Sequence, residues 1–138
     1  MHQKILIVED DSDTAVLFRE ALRRRGLDVD DVRSAPECLE RLRSTPADVV
    51  IVDVHMAGMS GIELCEQLRE HYPDTLTIVV TAAVTLDTWL ASNGAGAFDF
   101  LTKPVKFDVL LGAVNRALDH HSLRSAIKQR RASREAAT

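Results

Sequence analysis

The chain has 138 residues, enough for one domain whose hydrophobic core needs no disulfide or metal staple. Hydrophobic residues at 46% and charged residues at 28% are the balance of a globular chain, and no apolar run approaches the roughly 20 residues that cross a bilayer. The net charge of -4 is uneven: residues 119–138 carry Arg124, Lys128, Arg130, Arg131 and Arg134 against Asp119 and Glu135, so an acidic body precedes a basic tail, which argues against a nucleic-acid-binding domain.

Strand and helix signals alternate along the chain. Met1-His2-Gln3-Lys4 leads straight into Ile5-Leu6-Ile7-Val8 without a signal-peptide layout, so a cytoplasmic location is expected. Lys4–Val8 is apolar and rich in β-branched residues, and reads as a buried parallel strand ended by Glu9-Asp10-Asp11. Ala15, Leu17, Phe18, Ala21 and Leu22 form a helical stripe that Gly26 terminates. Residues 28–34 make a polar strand suited to a sheet edge, and Pro36 opens a second helix with Cys38, Leu39 and Leu42 on one face. The third strand, Val49–Val52, runs into Asp53. A loop holding Gly58 and Gly61 follows, then a helix with Ile62, Leu64, Cys65 and Leu68 that Tyr72-Pro73 closes. Leu76–Val80 is a fourth strand ending at Thr81. A helix over roughly 86–92 stops at Asn93-Gly94, and Phe98–Leu101 is a fifth strand. After Lys103-Pro104, the last helix carries Phe107, Leu110, Leu111, Val114 and Leu118, runs on through Leu123 and Ile127, and fades into Arg130–Thr138.

Five strands alternating with five helices predict an α/β fold: one parallel, doubly wound sheet with helices on both faces. Residues 1–120 are expected to form the domain, and 121–138 a helical, basic tail that is partly disordered. Cys38 and Cys65 lie in separate helical patterns and read as buried thiols, not a disulfide. His120 and His121 are adjacent, so they cannot face a common metal on a helix, and they are expected to be exposed and unliganded. Trp89 is expected to be a half-buried anchor.

The placing of polar residues points to function. In a doubly wound sheet the site lies beyond the carboxyl ends of the strands. Asp10 and Asp11 follow the first strand, Asp53 ends the third, Thr81 the fourth, and Lys103 follows the fifth. A flavodoxin-like strand order, 2-1-3-4-5, would make them converge. Three neighbouring carboxylates repel one another unless a proton or a cation joins them. Magnesium suits that role, as a hard ion held by one or two carboxylates, water and phosphate oxygens. A carboxylate is also a nucleophile for phosphoryl transfer. Lys103 and the Thr81 hydroxyl would balance charge on the transferred group.

Ile-Val-Glu-Asp-Asp at 7–11, Asp-Val-His-Met-Ala-Gly-Met-Ser-Gly at 53–61, Thr-Ala at 81–82 and Gly-Ala-Phe-Asp-Phe-Leu-Thr-Lys-Pro at 96–104 occur in one order. With these motifs the chain resembles, over about residues 3 to 120, the response-regulator receiver domain of two-component signalling. The resemblance implies Asp53 as phosphoacceptor, Asp11 as a direct magnesium ligand, Asp10 as a ligand acting through water, and the His55 backbone carbonyl as a further ligand. It implies Thr81 as a switch hydroxyl, Lys103 as a phosphoryl-oxygen contact, Phe100 as the aromatic that follows Thr81, and a cis Lys103-Pro104 bond. It implies a sensor histidine kinase or phosphotransfer protein as donor. Its output face would be the fourth helix, fifth strand and fifth helix, which could pair two copies and control transcription. No direct contact of this domain with nucleic acid or membrane is implied. The basic run after residue 119 resembles linkers that lead into effector domains, so the chain reads as the front of a longer regulator, with a single receiver as the other reading.

Two positions depart from the family pattern: Ala57 replaces the usual proline, and His55 is an uncommon side chain two residues past the phosphoacceptor. Three other classes compete. An aspartate-nucleophile phosphatase of the haloacid dehalogenase type would need a second aspartate where His55 stands, and a capping insert for which there is no room. A dinucleotide binder would need a glycine-rich turn where Glu9-Asp10-Asp11 would repel a pyrophosphate. A pseudo-receiver acting as an interaction module is opposed only by the intact site.

Overall fold

Three runs of apolar, largely β-branched residues form the middle of a sheet: β1 (Lys4–Val8), β3 (Val49–Asp53) and β4 (Leu76–Thr81). Every residue of β3 and β4 is buried. The computed structural model describes residues 3–137, and within them β2 (Asp28–Val32) and β5 (Asp99–Thr102) flank these strands. All pairings are parallel, in the order β2-β1-β3-β4-β5. The expected flavodoxin-like topology is the observed one.

Parallel strands need crossovers, and here the crossovers are helices: α1 (Ser12–Arg23), α2 (Ala35–Ser44), α3 (Gly61–His71) and α4 (Leu86–Gly94), with α5 (Phe107–Ala137) after the last strand. The two-residue period of a strand divides the core in two. Ile5, Ile7, Ile51 and Ile78 face Leu22 of α1 and Leu110 and Val114 of α5. Leu6, Val8, Val50 and Val52 face Cys38 and Leu42 of α2 and Leu64 and Leu68 of α3. Each such side chain contributes about 1.5–3 kcal/mol by leaving water. Both cysteines are core residues: burial pushes the Cys38 thiol up to about 12 and the Cys65 thiol up to about 11.

The edge strand β2 is polar and ion-paired. Lys4 Nζ lies 3.2 Å from Asp28 Oδ1 and 2.8 Å from Asp30 Oδ2, and Arg23 and Arg41 also reach Asp30. Asp31 is gripped by Arg19 at 2.6 Å and by Arg33. Burial works against the Asp31 charge, but its two arginines outweigh it and hold the carboxyl below its ordinary range.

Several boundaries differ from expectation for local reasons. β2 stops at Val32 because Ser34 caps α2, its hydroxyl accepting the Glu37 N–H at 3.2 Å. Thr85 caps α4 in the same way, its hydroxyl accepting the Thr88 N–H at 3.0 Å. β5 is displaced by one residue, and α4 ends at Gly94. The fading expected from Arg130 is corrected: α5 continues to Ala137. Its distal part is rich in Ala, Arg, Lys and Gln, all strong helix formers, and Lys128 pairs with Asp74. Of the two histidines expected to be exposed, His120 is, with its ring 5.3 Å from that of Phe98. The expectation is corrected for His121, which is half-buried with Nε2 3.2 Å from Asp48 Oδ1.

Gly61 fixes the entry of α3 against the end of β3. Its N–H donates to Val54 O at 3.0 Å, and an added Cβ would lie 2.2 Å from the Asp53 carbonyl oxygen and 2.8 Å from Val52 Cγ1. Only a residue without a side chain allows that approach. Gly61→Ala is expected to lower the unfolding free energy by about 2–3 kcal/mol. Urea unfolding followed by circular dichroism measures this, and an unchanged midpoint would mean that the α3 entry shifts freely.

Candidate functional site

The register of the sheet brings four strand ends to one rim. Val8 lies opposite Val52, Asp53 opposite Val80, and Thr81 opposite Thr102. The residues that follow these ends therefore meet above the sheet. Glu9, directly after β1, is 3% exposed, and its N–H donates to Val32 O at 3.1 Å. Asp53, the last residue of β3, is 7% exposed. Lys103, just past β5, reaches between them, with Nζ 2.9 Å from Glu9 Oε2 and 3.2 Å from Asp53 Oδ2. Its backbone N–H donates to Thr81 O at 2.8 Å, and its bond to Pro104 is cis, as expected. The other Asp53 oxygen, Oδ1, accepts the His55 N–H at 3.2 Å.

Charge at this rim is only partly balanced. Burial pushes the Glu9 carboxyl above its ordinary range; the Lys103 hydrogen bond opposes that rise, while the Asp53 charge adds to it. For Lys103 burial works against the cation, yet the hydrogen bond to Glu9 and the charges of Asp53 and Glu9 prevail and raise its pKa. Glu9, Asp10 and Asp53 each offer a carboxylate oxygen within 4.8 Å of the others, with Asp10 exposed. Three carboxylates against one ammonium leave a net negative, all-oxygen pocket, and that donor set fits a hard divalent cation.

The sequence placed the acidic pair one residue too late. Asp11 is not in the cluster: it is the N-cap of α1, and its carboxylate accepts from the Thr14 hydroxyl, which holds its pKa down. Glu9 takes the inner place, because the residue directly after a buried strand stays over the sheet while the one before a helix turns outward. The sequence held that signal: Val8 is the last apolar residue, and Asp11 precedes a helical stripe.

The other expected residues divide by location. Thr81 is fully buried, its hydroxyl oxygen accepting the Ala83 N–H at 3.1 Å. The His55 side chain is exposed, so only its backbone N–H touches Asp53. Phe100 lies away from the carboxylates, half-buried against Val54, Cys65, Val79 and Ala95. It therefore underlies α4 and the end of β4 and is no part of the polar pocket.

Comparison with known proteins agrees with this arrangement. Residues 5–115 match the response regulator receiver domain model. The chain is 34% identical over 117 residues to the DNA-binding transcriptional regulator NtrC of Escherichia coli, covering 85% of this chain and 25% of that protein. It is 38% identical over 116 residues to the response regulator protein PilR of Pseudomonas aeruginosa, covering 84% and 26%. The chain thus spans about a quarter of the length of these relatives. Among solved structures, a response regulator receiver domain protein from Methanospirillum hungatei superposes with a TM-score of 0.86 at 27% identity, covering 90% of this chain and 99% of that one. The Thermotoga maritima response regulator DrrB gives 0.80 at 30% identity, covering 87% and 54%.

Lys103→Met would leave two nearly dry carboxylates without their cation. The expected loss is about 1–2 kcal/mol at pH 7.5 with chelator present, below that for a fully buried pair because Lys103 is partly open to solvent. The loss should shrink toward pH 5.5. A Glu9 pKa raised in the folded state stabilises at low pH, and that contribution disappears as pH rises through the folded value. Urea titrations at both pH values test this, and equal deficits would assign the effect to packing.

Proposed function

Because the chain belongs to the response regulator receiver domain family, we propose that it takes up a phosphoryl group on Asp53 and works as a signalling switch, not as an enzyme on a metabolite. The observation that carries this reading is the grip on the Asp53 carboxylate: His55 N–H on one oxygen, Lys103 on the other, and two more acids alongside. An Asp53 oxygen attacks the phosphorus of a phosphohistidine or small phosphodonor. The new P–O bond forms as the donor's bond breaks, and the leaving group keeps that electron pair.

Magnesium is the proposed cofactor; held by Glu9, Asp10 and Asp53 and by the His55 backbone carbonyl, it would neutralise charge on the phosphoryl oxygens. Lys103 neutralises another oxygen, and the Thr81 hydroxyl turns from its own loop toward the group. Phe100 then repacks against the space that Thr81 leaves, shifting an equilibrium between two packings of α4. Val84, Leu86, Trp89 and Leu90 leave an apolar surface on and beside α4, which suits the proposed pairing of two copies through α4, β5 and α5. A sensor histidine kinase or phosphotransfer protein is the proposed donor, and transcription the proposed output, by way of relatives that are transcriptional regulators. No helix among the described residues is long and apolar enough to cross a membrane, and a cytoplasmic location is proposed with the rest.

Incubation with magnesium and a small phosphodonor should add one phosphoryl mass to the parent and none to Asp53→Ala, and a chelator should abolish the gain. An unmodified parent would leave an interaction module that keeps the site without its chemistry. The exposed His55 side chain borders Asp53 where attacking water must pass. His55→Ala is therefore expected to change the decay rate of the phosphorylated form more than the yield of phosphorylation, and equal decay rates would remove His55 from that role.

A further inference from the structure

The far end of the domain carries a second constellation, opposite the carboxylate rim. Among the described residues, α5 buries no side chain beyond Leu118, yet it remains attached to the body by polar contacts. Gln3 Nε2 donates to Leu118 O at 3.3 Å and lies 2.9 Å from Ser122 Oγ. His121 meets Asp48, and Lys128 meets Asp74. Asp48 is fixed in turn by the Lys4 N–H, which donates to its Oδ2 at 2.7 Å. A groove of about 370 Å³, lined mainly by Gln3, Asp48, His121, Ser122, Ser125 and Gln129, separates helix from body where apolar packing would otherwise be.

Helical geometry sorts this segment into two faces. At 3.6 residues per turn, His121, Arg124, Ser125 and Lys128 share one side. Leu123, Ile127, Arg130 and Arg134 share the opposite side, where Leu123 is 60% exposed and Ile127 43%. The side turned inward thus meets the body through charge and hydrogen bonds, while the apolar pair points to solvent.

We propose that residues 119–137 are an arm seated on Asp48 through His121 and on Asp74 through the Lys128 charge, so that neutralising this seat frees the arm to change direction. Asp48 stands immediately before β3 and Asp74 two residues before β4, so the seat occupies the opposite ends of the strands that carry Asp53 and Thr81. The Asp74 carboxyl is held below its ordinary range, chiefly by its hydrogen bond with Lys128 and further by the charges of Arg124 and His121. Solvent-exposed ion pairs are individually weak and screened by salt. A helix of this length has little stability alone. The arm is therefore held closely enough to have a direction and loosely enough to lose it. The inference needs no phosphorylation and stands apart from the reading of Asp53.

The test measures the distance between spin labels on the full chain, placed by Glu40→Cys on α2 and Ser133→Cys on the arm; both native thiols are buried. At about 20 mM salt the parent should give one narrow distribution, which should at least double in width at about 0.5 M salt, where screening extends to a few ångströms. Asp48→Asn with Asp74→Asn should be broad at low salt, and so should Lys128→Asp, which faces Asp74 with a like charge. A parent broad at low salt, a parent unmoved by high salt, or a Lys128→Asp as narrow as the parent would each overturn the proposal. The salt series on the parent decides the matter even if the double variant fails to fold.

Discussion

Two carboxylates at the rim of an apolar sheet can stay nearly dry because one ammonium, from a different strand, enters between them. Lys103 does this from the end of β5, with Glu9 at the end of β1 on one side and Asp53 at the end of β3 on the other. The contact spans the sheet and therefore depends on the register of four strands. It also leaves a deficit of positive charge, since Asp10 joins the same pocket. The pocket is thus net negative, with three carboxylates whose oxygens could hold a cation.

The architecture was legible because its signals are the ones physics makes strongest. Continuous apolar strands, separated by helical stripes of the right length, admit few topologies, and the polar residues cluster at one set of strand ends. Asp53 and Lys103 were found on that basis and occupy the expected places. Glu9 was passed over because three acids in a row look interchangeable in a sequence. Only the backbone decides which of them faces the sheet and which caps the next helix. The helix of the distal arm was expected, but its extent was underestimated, for a related reason. Its helix has no core-facing stripe beyond Leu118, so it looked like a fading end. Its support comes from Asp48 and Asp74, some 54 to 73 residues earlier for the contacts with Lys128 and His121, and no local pattern announces such partners.

The two ends of the sheet are built on different principles. At the rim that holds Asp53, polar groups are buried, mutually oriented and expensive to disturb. At the other end, Asp74 meets Lys128 in the open and Asp48 meets a half-buried His121, contacts that are individually small. Buried β3 and β4 join the two ends. Phe100 lies to the side of this axis, packed against Val54, Cys65, Val79 and Ala95.

The polar edge strand has a consequence for how the molecule behaves in a crowd. A parallel sheet ends in a row of backbone groups able to template another chain, and an uncharged β2 would offer itself for that purpose. Here Asp28, Asp30 and Asp31 stand along the strand with Lys4, Arg19, Arg23, Arg33 and Arg41 drawn over them. An incoming strand would have to strip this lattice of charge before its first backbone hydrogen bond formed. On this side, at least, the sheet stops at five strands and resists growing into a fibril.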